Sequence, residues 1–512
     1  MSGPLQELAR SARRWPQLVE ACKAPAEAQA KVWSETKALL DEAPFWRARH
    51  GGAAPAIEAH EPTVYSDYAE AVEATWASGQ SALSGAPVVL WALSSGSSGR
   101  QKRFPWTQAF IDQHREGSDL TLPVFEAIAR RKGRGPLLAL VATSPRVLAP
   151  SGSPTGYASN LLGPDSNPVY PRSIDYSKEA FTTWMPLYAA AADLGGIRAV
   201  SCDHVLVLVD QLEKGRERYL SVLDGSGSPP EGLPAPAVTP TRLDYLREVL
   251  LDPAPLSLAT LWPQLRVIHT WRSATAGLQA RMLLTTAVPG CQLVDFTYAA
   301  SEGPIANPID PDGIGGPIHP GSVVHEFLEL GAQGRPDEVL KAWELEVGRR
   351  YEVLMTTKMG LVRYRIGDVV ECTGWFHRTP TLRFVGRVGR EISLGVTTFS
   401  ESELTGALAA TARPPRVKQV FGPGPDGRAL VLYTTSLLSA DDLESIHRFV
   451  RDANDTYRGF HAEGRMAKIR QELLPPDHPV WSHCEPQHAQ SKPRFLIDRP
   501  IADFVGRPSE GA

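Results

Sequence analysis

The chain has 512 residues, which corresponds to roughly three average domains, or to one large α/β domain with a smaller second one. It contains 57 acidic and 53 basic residues, and its net charge of −4 gives no electrostatic reason to expect a nucleic acid or an anionic membrane as partner. Hydrophobic residues make up 42% of the chain and charged residues 21%. This hydrophobic content is enough to bury a core, and the combination is not that of an intrinsically disordered chain.

The location of the protein is predicted from its apolar runs and its cysteines. No run approaches the roughly 18 consecutive apolar residues that a membrane-spanning helix needs. The N-terminal residues mix acids, bases and glutamine without an apolar core, so they do not resemble a secretory signal. The five cysteines are widely spaced and odd in number, which is typical of a reduced chain without a disulfide frame. We therefore expect a cytoplasmic location.

The first part of the chain alternates between helical and strand-like patterns. Residues 1–85 carry apolar positions at a spacing of three to four, which predicts helices. Short apolar runs of the kind found in buried strands follow at 88–93, 137–143, 204–210, 265–271 and 291–298. Helical stretches lie between them, so this part of the chain predicts a largely parallel, doubly wound sheet.

The second part of the chain has a different pattern of predicted elements. From about residue 320 to 387, short strands follow one another with few helical signals, which predicts a β-rich subdomain. The region 388–512 contains a strand, a hairpin turn and a second strand, followed by an amphipathic helix for which Ser439 is the predicted N-cap. Glu401 and Glu403 are expected to face water at a helix start. We therefore predict an α/β fold, with a large N-terminal domain (1–387) of mostly parallel sheets and a small α+β domain (388–512).

The segment SSGSSGRQKRFPWT at 94–107 is the strongest candidate for binding a ligand. It follows a predicted buried strand directly, and its glycines and serines can present backbone N–H groups and hydroxyls to a polyphosphate. Lys102 adds a positive charge. The alternative is an exposed flexible loop, and the segment is not a Walker A loop, because that motif requires a different glycine–lysine spacing.

Three later segments carry further candidates, each with an ordinary structural alternative. In YAASEG (298–303), Tyr298 is suited to stack on a base and Glu302 to bind Mg²⁺, whereas the alternative is a strand end with a solvated glutamate. In YRIGDVVE (364–371), Asp368 is suited to accept hydrogen bonds from a ribose diol, or it is a turn aspartate. In FVGRVGREISLG (384–395), Arg387 lies between two glycines, or it belongs to an ordinary basic turn.

Taken in order, these segments resemble the adenylate-forming superfamily of acyl and aryl ligases. Within that superfamily, the chain most resembles a bacterial-type member of the auxin-responsive acyl acid–amido synthetase family. Further segments that carry this resemblance are LWPQLRVIHTW, VVHEFLEL, GLVRYRIGDVVECTGWF, DANDTYRGFHAEGRM and QSKPRF. The resemblance covers roughly residues 85–500. The stretch GVTTFSESEL departs from the plant members, which carry a Glu-Lys pair there.

The resemblance implies a role for each matching residue. The predicted phosphate-binding residues, which act together with Lys102, are Ser94, Ser95, Gly96, Ser97, Ser98 and Gly99. Tyr298, Ser301 and Glu302 match the segment that contacts adenine and the α-phosphate or metal, and Asp368 matches the ribose-binding aspartate. Arg387 matches an arginine at the domain junction, and Lys492 matches a lysine that a mobile C-terminal domain carries into the active site. Lys492, Lys102 and Glu302 are the implied catalytic residues.

The function that the resemblance implies is an ATP- and Mg²⁺-dependent ligase. It would adenylate a small carboxylic acid, release pyrophosphate and transfer the acyl group to an amine, most naturally an amino acid. Two alternatives remain open: a ligase that forms thioesters with coenzyme A, and a non-catalytic relative that only binds nucleotide. The expected partners are therefore small molecules, without a nucleic acid or a membrane. The sequence leaves the acid, the acceptor and the oligomeric state open.

Overall fold

The fold is that of a computed structural model, which describes most of the chain. The described residues are 15–93, 102–118, 120, 125, 127–129, 131, 135–140, 148–156, 169, 184–229, 234–274, 276–394, 397–411, 417–425, 429–485 and 493–504. The chain divides into two compact units: the first comprises Met1–Arg272 and Thr286–Phe384, and the second comprises Ser273–Thr285 and Val385–Ala512. Within the described ranges, no helix has the length and apolar character needed to cross a membrane.

The N-terminal region of the first unit is helical, as predicted. Proline occupies the first position of the second and third helices, where a backbone N–H would have no acceptor within the helix. Gly51 ends the third helix in a left-handed conformation with a φ of 66°. The helices of this unit are Trp15–Lys23, Pro25–Glu42, Pro44–His50, Ala69–Ser78, Gln108–Ser118, Met185–Ala191, Cys202–Lys214, Arg216–Leu223, Pro240–Leu251 and Leu258–Leu261.

The first unit also contains a four-stranded parallel sheet. Its strands, in spatial order, are Leu137–Leu140, Gly196–Ala199, Val267–His269 and Gln292–Val294, and every neighbouring pair is parallel. The predicted runs at 137–143, 265–271 and 291–298 supply three of these strands. The predicted strand at 204–210 is wrong, because these residues lie in the helix Cys202–Lys214. Its buried residues Val205, Leu208, Val209 and Leu212 recur at helical spacing, and Ser201 caps its first turn.

The predicted strand at 88–93 belongs to a different, three-stranded sheet. Leu90–Leu93 pairs antiparallel with Arg103–Trp106 and parallel with Thr155–Gly156. Residues 94–102, which form the serine–glycine segment proper, therefore connect two antiparallel strands, and residues 94–101 lie outside the described part of the chain. Parallel pairing is thus less extensive than the strand–helix alternation predicted.

The β-rich region predicted from about residue 320 forms a six-stranded sheet. In spatial order its strands are Gly316–Pro317, Thr379–Arg387, Tyr364–Phe376, Arg350–Thr356, Val324–Glu329 and Val339–Lys341. The registered pairs in this sheet are antiparallel, as expected for consecutive strands that short turns connect. A separate hairpin of Tyr298–Ala300 and Gly303–Ala306 precedes the sheet in the chain.

A buried ion pair holds the beginning of the strand Tyr364–Phe376. Arg363 donates from Nε and Nη2 to the two carboxylate oxygens of Glu326 at 3.0 and 2.9 Å, and both side chains are 1% exposed. Arg363 Nη1 also donates to the His60 carbonyl at 2.8 Å, and Lys341 contacts Glu326 at 2.8 Å. The pair is therefore bidentate and every guanidinium nitrogen of Arg363 donates a hydrogen bond, which helps to offset the cost of burying these charges.

The second unit contains its own hydrophobic core and sheet. Gln419–Pro423 and Leu430–Thr434 form an antiparallel pair, and Arg470–Leu473 adds a parallel third strand. A second pair consists of Glu391–Leu394 and Thr397–Ser400. The helices are Ala276–Thr286, Glu401–Ala409, Ala440–Ala453, Asp455–Ala462 and Val480–Cys484. The N-cap predicted at Ser439 is confirmed, because its hydroxyl accepts from Asp442 N at 3.1 Å.

The prediction that Glu401 faces water is wrong. Its side chain is 4% exposed, and it receives a hydrogen bond at 3.0 Å from Arg390 and another at 2.6 Å from Phe495 N. The pattern at the helix start misleads here because a carboxylate between a guanidinium and a backbone N–H can be buried at tolerable cost. Glu401 thereby attaches the segment around Phe495 to the start of the helix Glu401–Ala409.

We expect Glu326→Ala to lower the free energy of unfolding by about 3–5 kcal/mol, because it leaves the Arg363 guanidinium buried without its anion. Glu20→Ala is the control, since Glu20 is 71% exposed and contacts the exposed Lys23. That change should cost at most about 1 kcal/mol. Urea unfolding of both variants at neutral pH measures the difference, and equal losses would contradict the importance of the buried pair.

Candidate active site

Three of the candidate segments meet in the first unit. Lys102 Nζ donates to Tyr364 Oη at 3.3 Å, which joins the end of the serine–glycine segment to the YRIGD segment. Trp106 Nε1 donates to the Ser301 carbonyl at 2.9 Å. Tyr298 Oη donates to Asp368 Oδ2 at 2.7 Å, which joins the YAASEG hairpin to the YRIGD segment. Residues that lie up to 262 positions apart in the chain therefore converge on one region.

Two tyrosine rings surround the ammonium group of Lys102. Its Nζ lies 5.6 Å from the ring centre of Tyr65 and 5.8 Å from that of Tyr364, which are cation–π distances. The Tyr65 hydroxyl accepts from Arg103 N at 3.1 Å and therefore fixes the backbone beside Lys102. Burial raises the pKa of Tyr65, and the charges of Glu73 and Glu302 raise it further. Tyr65 thus remains a neutral hydroxyl that orients the lysine.

The turn of the hairpin presents Ser301 and Glu302. Gly303 follows with a φ of 153°, a backbone conformation that residues with a Cβ rarely adopt, so glycine is favoured there. The Ser301 hydroxyl donates to the Leu93 carbonyl at 3.4 Å, while the Ser301 carbonyl accepts from Trp106. Glu302 is 5% exposed, which makes it a buried carboxylate at the tip of the hairpin and not a solvated strand end.

An aromatic cluster surrounds the bond between Tyr298 and Asp368. The Tyr298 ring lies 5.5 Å from Trp271 and 5.3 Å from Phe384, and the latter two are 5.8 Å apart. Asp368 is 6% exposed and follows Gly367, whose φ is 78°. A Cβ at Gly367 would meet no atom of the described residues within 4 Å, so there is open space beside Asp368. Asp368 is therefore a buried carboxylate with open space next to it, at Gly367.

Two buried histidines hold the sides of the hairpin. His325 Nε2 donates to the Pro304 carbonyl at 3.0 Å, and His114 hydrogen-bonds to the backbone of Ala300. Burial lowers the pKa of each histidine to about 4, so both are neutral at pH 7. A neutral imidazole has one N–H donor, and in His325 the bond to Pro304 assigns it to Nε2. The hairpin is therefore held by uncharged donors on either side of Glu302.

The residues present are compatible with a magnesium–nucleotide complex. Among the described residues, no group of three or more His, Cys, Asp or Glu side chains is arranged to hold a metal ion. Mg²⁺ is usually bound through one or two carboxylates together with substrate phosphates, so the single carboxylate of Glu302 fits an ion that arrives with its nucleotide. The cation of Lys102 fits the phosphate charge.

The structure describes only some of the predicted site residues. Five of them lie in one region of the first unit: Lys102, Tyr298, Ser301, Glu302 and Asp368. Arg387 ends the strand Thr379–Arg387 and belongs to the second unit. The predicted phosphate-binding residues of 94–99 and the predicted catalytic Lys492 lie outside the described residues.

Three contacting residues are not identified by the sequence patterns. Tyr65 comes from the helical N-terminal region and carries no motif, so only the fold reveals it. Trp106 and Tyr364 lie within the candidate segments, close in sequence to Lys102 and Asp368, and this proximity is the only sequence signal that points to them. A single tryptophan or tyrosine that makes one hydrogen bond forms no recognisable sequence motif.

Two regions of the chain match domains of one protein family. Residues 16–189 match the GH3 family N-terminal domain, and residues 316–387 match the GH3 family central domain. A probable indole-3-acetic acid-amido synthetase, GH3.9 of Oryza sativa subsp. japonica, is 32% identical over 157 residues, which are 30% of this chain and 35% of that relative. This relative, the probable indole-3-acetic acid-amido synthetase GH3.12 of the same organism and a GH3 domain-containing protein of Mus musculus are matched over only 35% to 48% of their own length.

Solved structures show the same fold. The GH3.15 acyl acid amido synthetase superposes with a TM-score of 0.76 at 19% identity, covering 96% of this chain and 94% of that one. A 2-hydroxyisobutyryl-CoA ligase in the postadenylation state, in complex with 2-HIB-AMP, superposes with a TM-score of 0.52 at 13% identity, covering 96% and 93%. The predicted α/β fold class is confirmed by these likenesses.

We expect stability to fall as the pH is lowered from about 6.5 to about 4. His114 and His325 resist protonation in the folded protein until about pH 4, whereas an unfolded histidine takes up a proton from about pH 6.5. The unfolded state therefore binds more protons within this window, and the free energy of unfolding decreases as the pH falls. His325→Gln should flatten this dependence, as measured by urea unfolding at several pH values.

The exposed His377 provides the control for that experiment. Its φ is 55°, so His377→Asn, which tolerates this backbone conformation, is the suitable change. This variant should keep the wild-type dependence on pH. An unchanged slope in His325→Gln would show that the buried imidazole does not contribute.

Proposed function

Because the chain belongs to the GH3 family, we propose that it is an ATP-dependent acyl-amido synthetase. In the first step a carboxylate oxygen of the acid attacks the α-phosphorus of ATP, the bond from that phosphorus to pyrophosphate breaks, and acyl-AMP forms. In the second step the amine nitrogen attacks the acyl carbon, AMP leaves with the bonding electrons, and the nitrogen loses a proton. The product is an amide of a small carboxylic acid and an amine, which we take to be an amino acid.

One observation carries this proposal: Lys102, the Ser301–Glu302 turn and Asp368 converge through three hydrogen bonds. A triphosphate, a metal ion and a ribose need a cation, a carboxylate and a hydrogen-bond acceptor within one region. Three separate solvent-facing positions would not have supported nucleotide binding.

Lys102 is proposed to offset the repulsion between the incoming carboxylate and the phosphates. Both reactants are anions, so a fixed positive charge lowers the barrier to their approach. The hydroxyl of Tyr364 and the ring of Tyr65 restrict where the lysine ammonium group lies. A cation that is already oriented need not be reorganised during the reaction.

Asp368 is proposed to accept hydrogen bonds from the ribose diol. One of its oxygens, Oδ2, accepts from Tyr298, and an ionised carboxylate has about four acceptor positions in total. The Tyr298 bond fixes the orientation of the carboxylate, and the open space at Gly367 leaves room beside it. These two features support a sugar-binding role over that of a simple turn aspartate.

Glu302 is proposed to bind Mg²⁺ together with the phosphates. When bound, the metal ion would neutralise phosphate charge and stabilise the charge that develops on the leaving pyrophosphate. The hairpin holds the Glu302 backbone between Trp106 and the two histidines, which limits the movement of its carboxylate. The side chain's burial strengthens its interaction with a cation.

The remaining predicted features belong to this proposal. We propose that Arg387 and Lys492 serve the same reaction, as the family resemblance implies, and that 388–512 form a small mobile domain. The choice of an amine acceptor is supported by the relatives named indole-3-acetic acid-amido synthetase. A cytoplasmic location is supported by the five cysteines, all of which are buried free thiols.

A pyrophosphate-release assay tests the proposed function. Purified full-length protein is incubated with ATP, Mg²⁺ and a panel of small carboxylic acids, first alone and then with amino acids. We expect acid-dependent pyrophosphate release and an amide product that mass spectrometry detects. A thioester in the presence of coenzyme A, without any amide, would indicate the alternative ligase. ATP binding without turnover on any acid would indicate a nucleotide-binding relative.

We expect Asp368→Ala to weaken ATP binding by about 1.5–3 kcal/mol, because the ribose loses hydrogen bonds to a charged acceptor. Isothermal titration calorimetry measures the change. Asp244→Ala is the control, since the Asp244 side chain is 72% exposed on a helix of the same unit, and it should bind ATP as the wild type does. Unchanged affinity in Asp368→Ala would remove this aspartate from the nucleotide site.

A further inference from the structure

We propose that Trp106 and Ser301 are positioning residues that hold the Glu302 turn against the two strands flanking the serine–glycine segment. The inference rests on the proposed function, in which Glu302 binds Mg²⁺ with the nucleotide. It adds a role for a tryptophan that belongs to neither the phosphate-binding residues nor the hairpin. Neither residue needs to touch the substrate for this role.

Ser301 contacts both flanking strands through different atoms. Its carbonyl accepts from Trp106 Nε1 at 2.9 Å, and Trp106 ends the strand that follows the segment. Its hydroxyl donates to the Leu93 carbonyl at 3.4 Å, and Leu93 ends the strand that precedes the segment. Glu302 is the next residue in the chain. The residue directly before Glu302 is therefore bound to the last residue of each of these two strands.

The orientation of the Trp106 indole is determined by packing. Its ring is fully buried and lies 5.1 Å from Phe110 and 5.0 Å from His114. The indole N–H is a donor only, so within this packing it has one polar function, which it performs on Ser301. A phenylalanine at this position would keep an aromatic contact with Phe110 and His114 while removing the donor.

The neighbouring strand offers a matched control. Trp91 is also fully buried, and in the three-stranded sheet it lies opposite Pro105, whereas Trp106 lies opposite Leu90. Successive residues of a strand point to opposite faces, so the two tryptophans lie on opposite faces of this sheet. Among the described residues, Trp91 Nε1 has no hydrogen-bond partner. Trp91→Phe thus makes the same change in volume without removing a hydrogen bond to any residue that the structure describes.

Calorimetry of ATP binding with Mg²⁺ and with a chelator provides a readout that does not depend on turnover. The quantity of interest is the factor by which Mg²⁺ tightens ATP binding. We expect Trp106→Phe to reduce this factor about 3- to 10-fold, as the loss of one neutral hydrogen bond to the Glu302 turn would, and Trp91→Phe to leave it unchanged. Ser301→Ala should reduce it in the same direction and keeps the test possible if Trp106→Phe does not fold.

The outcomes separate this inference from the proposed function. A Mg²⁺ effect in the wild type that persists fully in Trp106→Phe and Ser301→Ala would overturn the positioning role and leave the proposed function standing. Equal losses in Trp106→Phe and Trp91→Phe would also overturn it, because they would reflect packing alone. Wild-type protein that binds no ATP under either condition would overturn the proposed function, and the positioning role with it.

Discussion

The buried ion pair between Arg363 and Glu326 holds the part of the fold on which the candidate site depends. Arg363 has a φ of 45°, a conformation that an L-residue adopts only when its surroundings enforce it. Its two bonds to Glu326 and its bond to the His60 carbonyl supply that enforcement. The next residue is Tyr364, which contacts Lys102, and Asp368 lies further along the same strand. Charge burial and backbone geometry are thus coupled at the start of this strand.

The site is assembled from side chains that each perform one fixed polar function. Tyr65 orients the backbone beside Lys102, Trp106 binds the Ser301 carbonyl, and Tyr298 binds Asp368. The donors around the hairpin are neutral, and the charged residues are those that we propose to bind the phosphates, metal and ribose. This separation of neutral structural donors from charged ligand-binding residues matches the chemistry that we propose, because electrostatic catalysis depends on charges that are held in fixed positions.

Sequence reasoning succeeded where a local pattern has one physical cause. The cap at Ser439 depends on residues three positions apart, and the consecutive strands after residue 320 pair with chain neighbours. It failed at 204–210, because a short apolar run fits a buried strand and a buried helix equally well. It also missed the strand Gly196–Ala199, where Arg198 interrupts the apolar run and then lies with its guanidinium over the Phe296 ring.

The amino-acid sequence by itself determined the α/β class, the helical beginning, the β-rich region and the order of the candidate segments. These features follow from composition and from periodicity within a few residues, which are local properties of the chain. Only the tertiary structure decided that the serine–glycine segment connects two antiparallel strands, that Glu401 is buried, and that Tyr65 and Trp106 contact the candidate segments. Each of these depends on contacts between residues distant in sequence, which neither pattern nor propensity encodes.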